Sequence, residues 1–129
     1  MAELDNRLIT DSIMKNYMYA DWVKTIHYAT TSNHIHELCD KVRDDIVDFT
    51  DSLAEQFFGF HGKPEVADFS IENNIVKSPN LQDICEAVID IANEIREGLP
   101  DDYRGWSLQS LIDDFVGTMG QNKFLCRLQ

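Results

Sequence analysis

The chain has 129 residues, 43% of them hydrophobic, and a formal net charge of −12 at pH 7. This length predicts a single domain over residues 1–129, with a core large enough to need no covalent staple. The excess of acidic residues repels phosphate backbones, and no Lys/Arg cluster offsets it, so we expect no nucleic-acid partner. No stretch of about 20 apolar residues occurs, which predicts no membrane span.

The N-terminal segment and the cysteines favour a cytoplasmic protein. Residues 1–7 are charged and lack the apolar region that is typical of secretory signals. Cys39, Cys85 and Cys126 are far apart in the sequence, are odd in number and form no C-x-x-C motif. This pattern favours a reducing setting and argues against a zinc knuckle or a disulfide framework.

Two helices are predicted in the first half of the chain. The first runs over about residues 5–30 and is apolar on two sides, which favours an oligomer contact on one of them. The second runs over about residues 33–58, where Ser32 or Asn33 can cap it and the glycines after Phe58 end it. Its core stripe recurs every three to four residues. The stripe consists of Leu38, Val42, Ile46, Phe49 and Leu53.

A long connection and two more helices complete the predicted architecture. Residues 60–77 form the connection, the third helix runs from Ser78-Pro79 to Gly98, and the fourth starts near Ser107. Two glycines inside the fourth helix either weaken its centre or allow close packing. This order predicts an all-α, ferritin-like four-helix bundle with a long crossover between helices two and three.

A second stripe on the predicted second helix carries imidazole and carboxylate groups, on roughly the opposite side from the core stripe. At 100° per residue, Asp40, Asp51 and Glu55 fall about 40°, 60° and 100° from His36, so the four side chains share one face. His27 lies just upstream, near the end of the first helix. Imidazole and carboxylate together are a ligand set that iron and other first-row metals accept.

The spacing of these residues predicts a site that two chains share. Asp40 and Asp51 are about 16 Å apart along a helix axis, too far to hold one metal ion. When two copies of a helix pair antiparallel across a two-fold axis, the position numbers of any two facing residues add up to the same value. The positions of His36 and Glu55 have the same sum as those of Asp40 and Asp51. A symmetric dimer therefore brings His36 and Asp40 of one chain onto Asp51 and Glu55 of the other, twice.

The segment from His27 to Asp40, followed by Asp51-Ser-Leu-Ala-Glu55, resembles the ferroxidase signature of Dps proteins. These are the mini-ferritins named as DNA-binding proteins from starved cells. In that family a His closes helix one, a second His and an acid four residues later open helix two, and an acid-x-x-x-Glu pair follows. The matching positions are His27, His36, Asp40, Asp51 and Glu55. The resemblance covers about residues 8–58, and beyond them it rests on helix order.

The resemblance implies that Fe(II) is oxidised to Fe(III) at sites between two-fold-related subunits, in a hollow shell of twelve. His27 and His36 would supply nitrogen ligands, Asp40 and Asp51 carboxylate ligands, and Glu55 would bridge two irons. Three features depart from the family pattern. The loop between the histidines is a few residues shorter, a tyrosine stands where Trp is usual, and the Lys-rich N-terminal tail that some members use for DNA is absent.

The residues alone leave two alternatives open. An acidic stripe opposite a core stripe is normally a solvated face, so the chain is alternatively a helical structural or interaction protein that keeps the bundle without iron chemistry. The same ligands also accept another divalent metal in place of iron. We assign no ligand role to His34, which is expected to be exposed or capping, or to His61, which is expected in a loop.

Overall fold

Four α-helices make up the part of the chain that the structure, a computed structural model, describes, residues 6–62 and 79–128. They are α1 (Asn6–Ala29), α2 (Asn33–His61), α3 (Leu81–Glu97) and α4 (Tyr103–Cys126). No strand occurs among these described residues, and the prediction of an all-α four-helix bundle is confirmed. Most of the predicted connection, together with Ser78, lies outside the described residues.

Side-chain contacts between the helices establish the direction in which each one runs. These contacts are Asn16–Thr50 and His27–His36 between α1 and α2, His34–Leu125 and Gln56–Ser107 between α2 and α4, and Glu86–Lys123 and Arg96–Asp113 between α3 and α4. In each pair of helices, the later residues of one contact the earlier residues of the other, so each pair is antiparallel. Because α2 and α3 are both antiparallel to α4, they run in the same direction.

The apolar sides of the four helices face one core. The five residues of the predicted α2 core stripe are all buried, which confirms that stripe. Phe49 of α2 stacks on Phe115 of α4, with ring centroids 3.8 Å apart and an interplanar angle of 9°. Each large apolar side chain buried in this way contributes about 1.5–3 kcal/mol of transfer free energy. Burial of this stripe turns the opposite side of α2, with its acidic groups, toward solvent.

The start of α2 is as predicted, whereas only one of its two predicted stops is correct. Ser32 caps the helix, because its Oγ accepts a hydrogen bond from the Ile35 amide at 3.2 Å. Of the two predicted glycine stops after Phe58, the second is correct, since α2 continues to His61 and ends at Gly62, which has a φ of 88°. The first glycine after Phe58 is exposed within the helix. A glycine inside a helix lowers the stability of the helix by only about 1 kcal/mol relative to alanine. This loss is too small to end a long helix.

Polar caps place the starts of α3 and α4. Asn80 and Asp83 form a capping box before α3, in which each side chain accepts a hydrogen bond from the other residue's amide, at 2.8 and 3.0 Å. The predicted start of the fourth helix near Ser107 is wrong, because α4 begins at Tyr103. Asp102 caps it there, and its carboxylate takes up a free amide of the first turn.

The glycines of α4 differ in how much space surrounds them. A Cβ on the buried Gly105 would lie 1.8 Å from the Pro100 carbonyl oxygen, so the entry into α4 requires glycine. A Cβ on Gly117 or Gly120 would meet nothing within 4 Å among the described residues. No described residue of the chain therefore packs closely against these two glycines. None of the four described helices combines the length and the apolar character that a membrane crossing requires.

Candidate metal site

His27 at the end of α1 and His36 near the start of α2 hold each other in place across the turn between the helices. His27 Nδ1 donates to the His36 carbonyl oxygen at 2.8 Å, and His36 Nδ1 donates to the His27 carbonyl oxygen at 3.0 Å. The two rings stack with their centroids 3.8 Å apart and an interplanar angle of 22°. The short turn between the helices thus brings both predicted nitrogen ligands into direct contact.

The hydrogen bonds of this pair determine which ring nitrogens are free. A carbonyl oxygen only accepts hydrogen bonds, so Nδ1 carries the proton in both rings. In the neutral form of each ring the lone pair then lies on Nε2. Metal-binding histidines in proteins are oriented in the same way, because the nitrogen that does not bind the metal donates to a carbonyl or a carboxylate. The pair therefore has the tautomer that a metal site through Nε2 needs.

Asp40 lies beside the histidine pair and brings a carboxylate to it. Its Oδ1 is 3.9 Å from His27 Nδ1, and 62% of its side chain is exposed. The same oxygen is 3.6 Å from Lys24 Nζ on α1. A metal ion bound at Asp40 would have to displace this ammonium group. Three of the five predicted ligands, His27, His36 and Asp40, are thus neighbours within one chain.

Asp51 and Glu55 do not join this group within one chain. Both are exposed on α2, about 16 Å and more along the helix axis from Asp40. Within a single chain, the described residues contain no cluster of three His, Cys, Asp or Glu side chains that could hold a metal ion. Tyr17 on α1 is their neighbour, since burial, and then the negative charges of Asp51 and Glu55, raise the pKa of its phenol. Each chain therefore presents two separate halves of the predicted ligand set.

The surface between these two halves is acidic. Asp44 and Asp48 are exposed on the same side of α2. Arg43 lies between the halves, and its Nη2 is 3.8 Å from Asp21 Oδ1 on α1 of the same chain. Together with Asp40, Asp51 and Glu55 in the two halves, these carboxylates outnumber the cations Lys24 and Arg43, and such an excess of negative charge attracts positive ions.

His34, which was expected to be exposed or capping, has a structural role that the sequence did not reveal. It is partly buried, and its Nε2 donates to the Leu125 carbonyl oxygen at 2.6 Å, which ties the start of α2 to the end of α4. His61, expected in a loop, is the last residue of α2 and stacks on Phe57 with ring centroids 4.5 Å apart. The backbone acceptor of His34 has no signature in a sequence, so no pattern identified that contact.

Taken together, the fold and the exposed His/carboxylate surface define an all-helical bundle protein with a candidate metal site. No protein-family model matches the chain, and no solved structure matches it. The chain is similar to an uncharacterized 14.6 kDa protein from the mobD-ri intergenic region of Enterobacteria phage T4. The two are 27% identical over 107 residues, which cover 80% of this chain and 75% of that protein. The likeness to Dps proteins thus rests on the helix order and the five ligand positions, and stays a prediction.

Proposed function

We propose that the protein binds Fe(II) as a substrate at a site shared by two copies of the chain and oxidises it, as a Dps-like mini-ferritin does. The observation that carries the proposal is the reciprocal pair of His27 and His36. Their Nδ1 protons are engaged by backbone carbonyls, their Nε2 atoms are the remaining ring nitrogens, and Asp40 lies next to them.

The two halves of the ligand set complement each other in a symmetric dimer. One chain contributes His27, His36 and Asp40, and the second copy contributes Asp51 and Glu55. Three carboxylates that approach in this way repel each other unless a cation lies between them. The pairing thus explains why an exposed acidic surface is useful, since the metal supplies the missing positive charge.

The chemistry follows from the ligand types. The histidine nitrogens accept Fe(II) readily, while carboxylates stabilise Fe(III) relative to Fe(II) and so favour the loss of an electron. Glu55 is the strongest candidate to bridge two irons. Two Fe(II) ions together supply the two electrons that convert one hydrogen peroxide to two hydroxide ions, and dioxygen is the other candidate oxidant.

The surface around the site supplies the remaining dimer contacts. On α1, Tyr17, Asp21 and Lys24 lie beside the α2 stripe. Met14, one turn before Tyr17, is 41% exposed and belongs to the second apolar side of α1. A dimer through this side would cover Met14 and place the two α2 helices antiparallel to each other.

A ferritin-like crossover and a larger assembly are part of the same proposal. The parallel directions of α2 and α3 support the crossover, because a chain that leaves the end of α2 must reach the opposite end of the bundle before α3 starts. The connection itself lies outside the described residues. The dimer is the minimum assembly that the site needs, and a closed shell of twelve is what the resemblance adds.

Aerobic addition of Fe(II) to metal-free protein, followed by the absorbance of ferric species, tests the proposal. We expect oxidation faster than in buffer. His36→Ala and Glu55→Ala should each slow it by about tenfold or more, since each removes one ligand. The matched control is Glu94→Ala, which removes an exposed carboxylate from α3 and should leave the rate unchanged.

Wild-type protein that oxidises Fe(II) no faster than buffer would end the ferroxidase proposal. If such protein still dimerises, the alternative of a structural or interaction protein is favoured. Anaerobic calorimetry with Fe(II), Co(II) and Zn(II) distinguishes iron from another divalent metal in the same site, because ligand type alone separates these ions poorly.

A further inference from the structure

The cysteines that are far apart in the sequence lie at the same end of the bundle. Cys85 on α3 and Cys126 on α4 are neighbours across this helix pair, the first in the hydrophobic core and the second packed against it. Cys39 on α2 is close enough to Cys126 for the charge of one to act on the other. All three are free thiols. The large sequence separation does not reveal this proximity, which arises because helix packing brings the three residues together.

The packing of α3 against α4 holds the two thiols opposite each other. Glu86, the residue after Cys85, forms an ion pair with Lys123, which lies one turn before Cys126. The pair Arg96–Asp113 sets the same antiparallel alignment further along the helices. Both cysteines also pack in or against the hydrophobic core. The proximity of the two cysteines is therefore a property of the helix alignment.

The two thiols differ in access to solvent. Cys85 is fully buried, whereas Cys126 is half-buried and lines a surface groove with Asn33, Ile35 and Arg127. The hydrogen bond from the Cys85 thiol lowers the pKa of Cys126, with help from the positive charge of Arg127 and against the effect of burial. The same hydrogen bond and burial raise the pKa of Cys85. Cys126 is thus the more reactive thiol, because the thiolate is the nucleophile.

We propose that Cys126 and Cys85 form an oxidisable dithiol that reacts with hydroperoxides and closes to an intrachain disulfide. The Cys126 thiolate attacks the peroxide, the O–O bond breaks, and a sulfenic acid forms on Cys126 as the departing oxygen leaves as an alcohol or water. The Cys85 sulfur then attacks the Cys126 sulfur, and the oxygen leaves as water. Overall, two thiols and one hydroperoxide give one disulfide, one water and one alcohol or second water. This site is separate from the proposed iron site and needs no metal.

Thiol mapping of the full chain tests this proposal. Reduced protein with a metal chelator is treated with equimolar hydrogen peroxide, and the remaining thiols are alkylated in denaturant. We expect an intact mass with one alkylated thiol instead of three, and a cross-linked peptide that joins Cys85 to Cys126. Three unmodified thiols, a disulfide that contains Cys39, or a link between two chains would each overturn the proposal.

Single variants separate the roles of the three cysteines. Cys126→Ser should slow thiol loss by about tenfold or more, because the accessible thiolate is gone. Cys85→Ser should stop the reaction at the sulfenic acid of Cys126, which dimedone traps. Cys39→Ser is the matched control and should form the disulfide at the wild-type rate. Unchanged thiol loss in Cys126→Ser would contradict the assignment of the attacking thiol. The disulfide mapping of the wild-type protein tests the proposal even if a variant folds poorly.

Discussion

A double-mutant cycle on His27 and His36 separates the two interactions that hold the histidine pair. His27→Ala removes one hydrogen bond and the ring stack, and His36→Ala removes the other hydrogen bond and the same stack. The acceptors are backbone carbonyls, which remain in both variants. The two hydrogen bonds are therefore lost independently, and only the stack couples the two positions.

The contacts set the expected size of each effect. A net hydrogen bond contributes about 0.5–1.5 kcal/mol, and an aromatic pair about 0.5–1.5 kcal/mol beyond its buried area. Because His36 is exposed, we use the lower part of each range, about 0.5–1 kcal/mol. Each single variant should then lose about 1–2 kcal/mol and the double variant about 1.5–3 kcal/mol, with a coupling free energy of about 0.5–1 kcal/mol.

Urea denaturation of metal-free protein, followed by circular dichroism, measures these free energies of unfolding. The matched control is the same cycle on His27 and His34. His34 hydrogen bonds to Leu125 on α4 and takes no part in the hydrogen bonds or the stack of the histidine pair, so the two changes should add. A double variant that equals the sum of its singles at 27 and 36 would show that the ring stack contributes nothing. A double variant no less stable than either single would refute the contribution of the hydrogen bonds.

Four further outcomes are expected. Phe115→Ala removes the stack on Phe49 and leaves a cavity, so urea denaturation should show a loss of about 3–5 kcal/mol, and a loss under 1 kcal/mol would contradict the packing. Asn80→Ala breaks the α3 capping box and should lower the free energy of unfolding by about 1 kcal/mol, whereas Asn80→Ser should restore most of it. An ultraviolet pH titration should show that the Tyr17 phenol, assigned by its loss in Tyr17→Phe, has a pKa above the ordinary tyrosine range. Glu55→Gln should lower this pKa, since a negative neighbour opposes the tyrosinate. A gel shift should show no DNA complex near 150 mM salt, because a chain of net charge −12 offers few cations to neutralise phosphates, and a persistent shift would contradict this.

The helices could be predicted from local patterns, but their ends could not in every case. The α2 core stripe was predicted because an apolar residue every three to four positions can be buried only on one side of a helix. The start of α4 was missed because the prediction followed the apolar pattern, which becomes regular only near Ser107. The helix begins earlier, at Tyr103, where Asp102 caps it. At the end of α2, the predicted stop at Gly62 is correct but the one at Gly59 is not, because one exposed glycine weakens a long helix too little to stop it.

The candidate site was predictable to the extent that it depends on one helix. The shared face of His36, Asp40, Asp51 and Glu55 follows from 100° per residue alone. The reciprocal hydrogen bonds of the histidine pair were not predictable, because their acceptors are backbone carbonyls that every residue carries. The proximity of the α3 and α4 cysteines was equally hidden, since it depends on how those two helices align.

Complementation between two inactive chains tests the shared site most directly. One chain carries His36→Ala and Asp40→Ala, and the other carries Asp51→Ala and Glu55→Ala. Each chain alone lacks two ligands in every site, whereas a mixed dimer has one complete site and one that lacks all four of the substituted ligands.

The two chains are made together with different tags, and Fe(II) oxidation is measured for each chain alone and for the mixture. Because about half of randomly paired dimers are mixed and each has one complete site of two, the mixture should recover about a quarter of the wild-type sites, while each chain alone stays at the buffer rate. A mixture that contains mixed dimers but oxidises Fe(II) no faster than the separate chains would contradict a site shared between two copies. Substantial oxidation by either chain alone would contradict it as well.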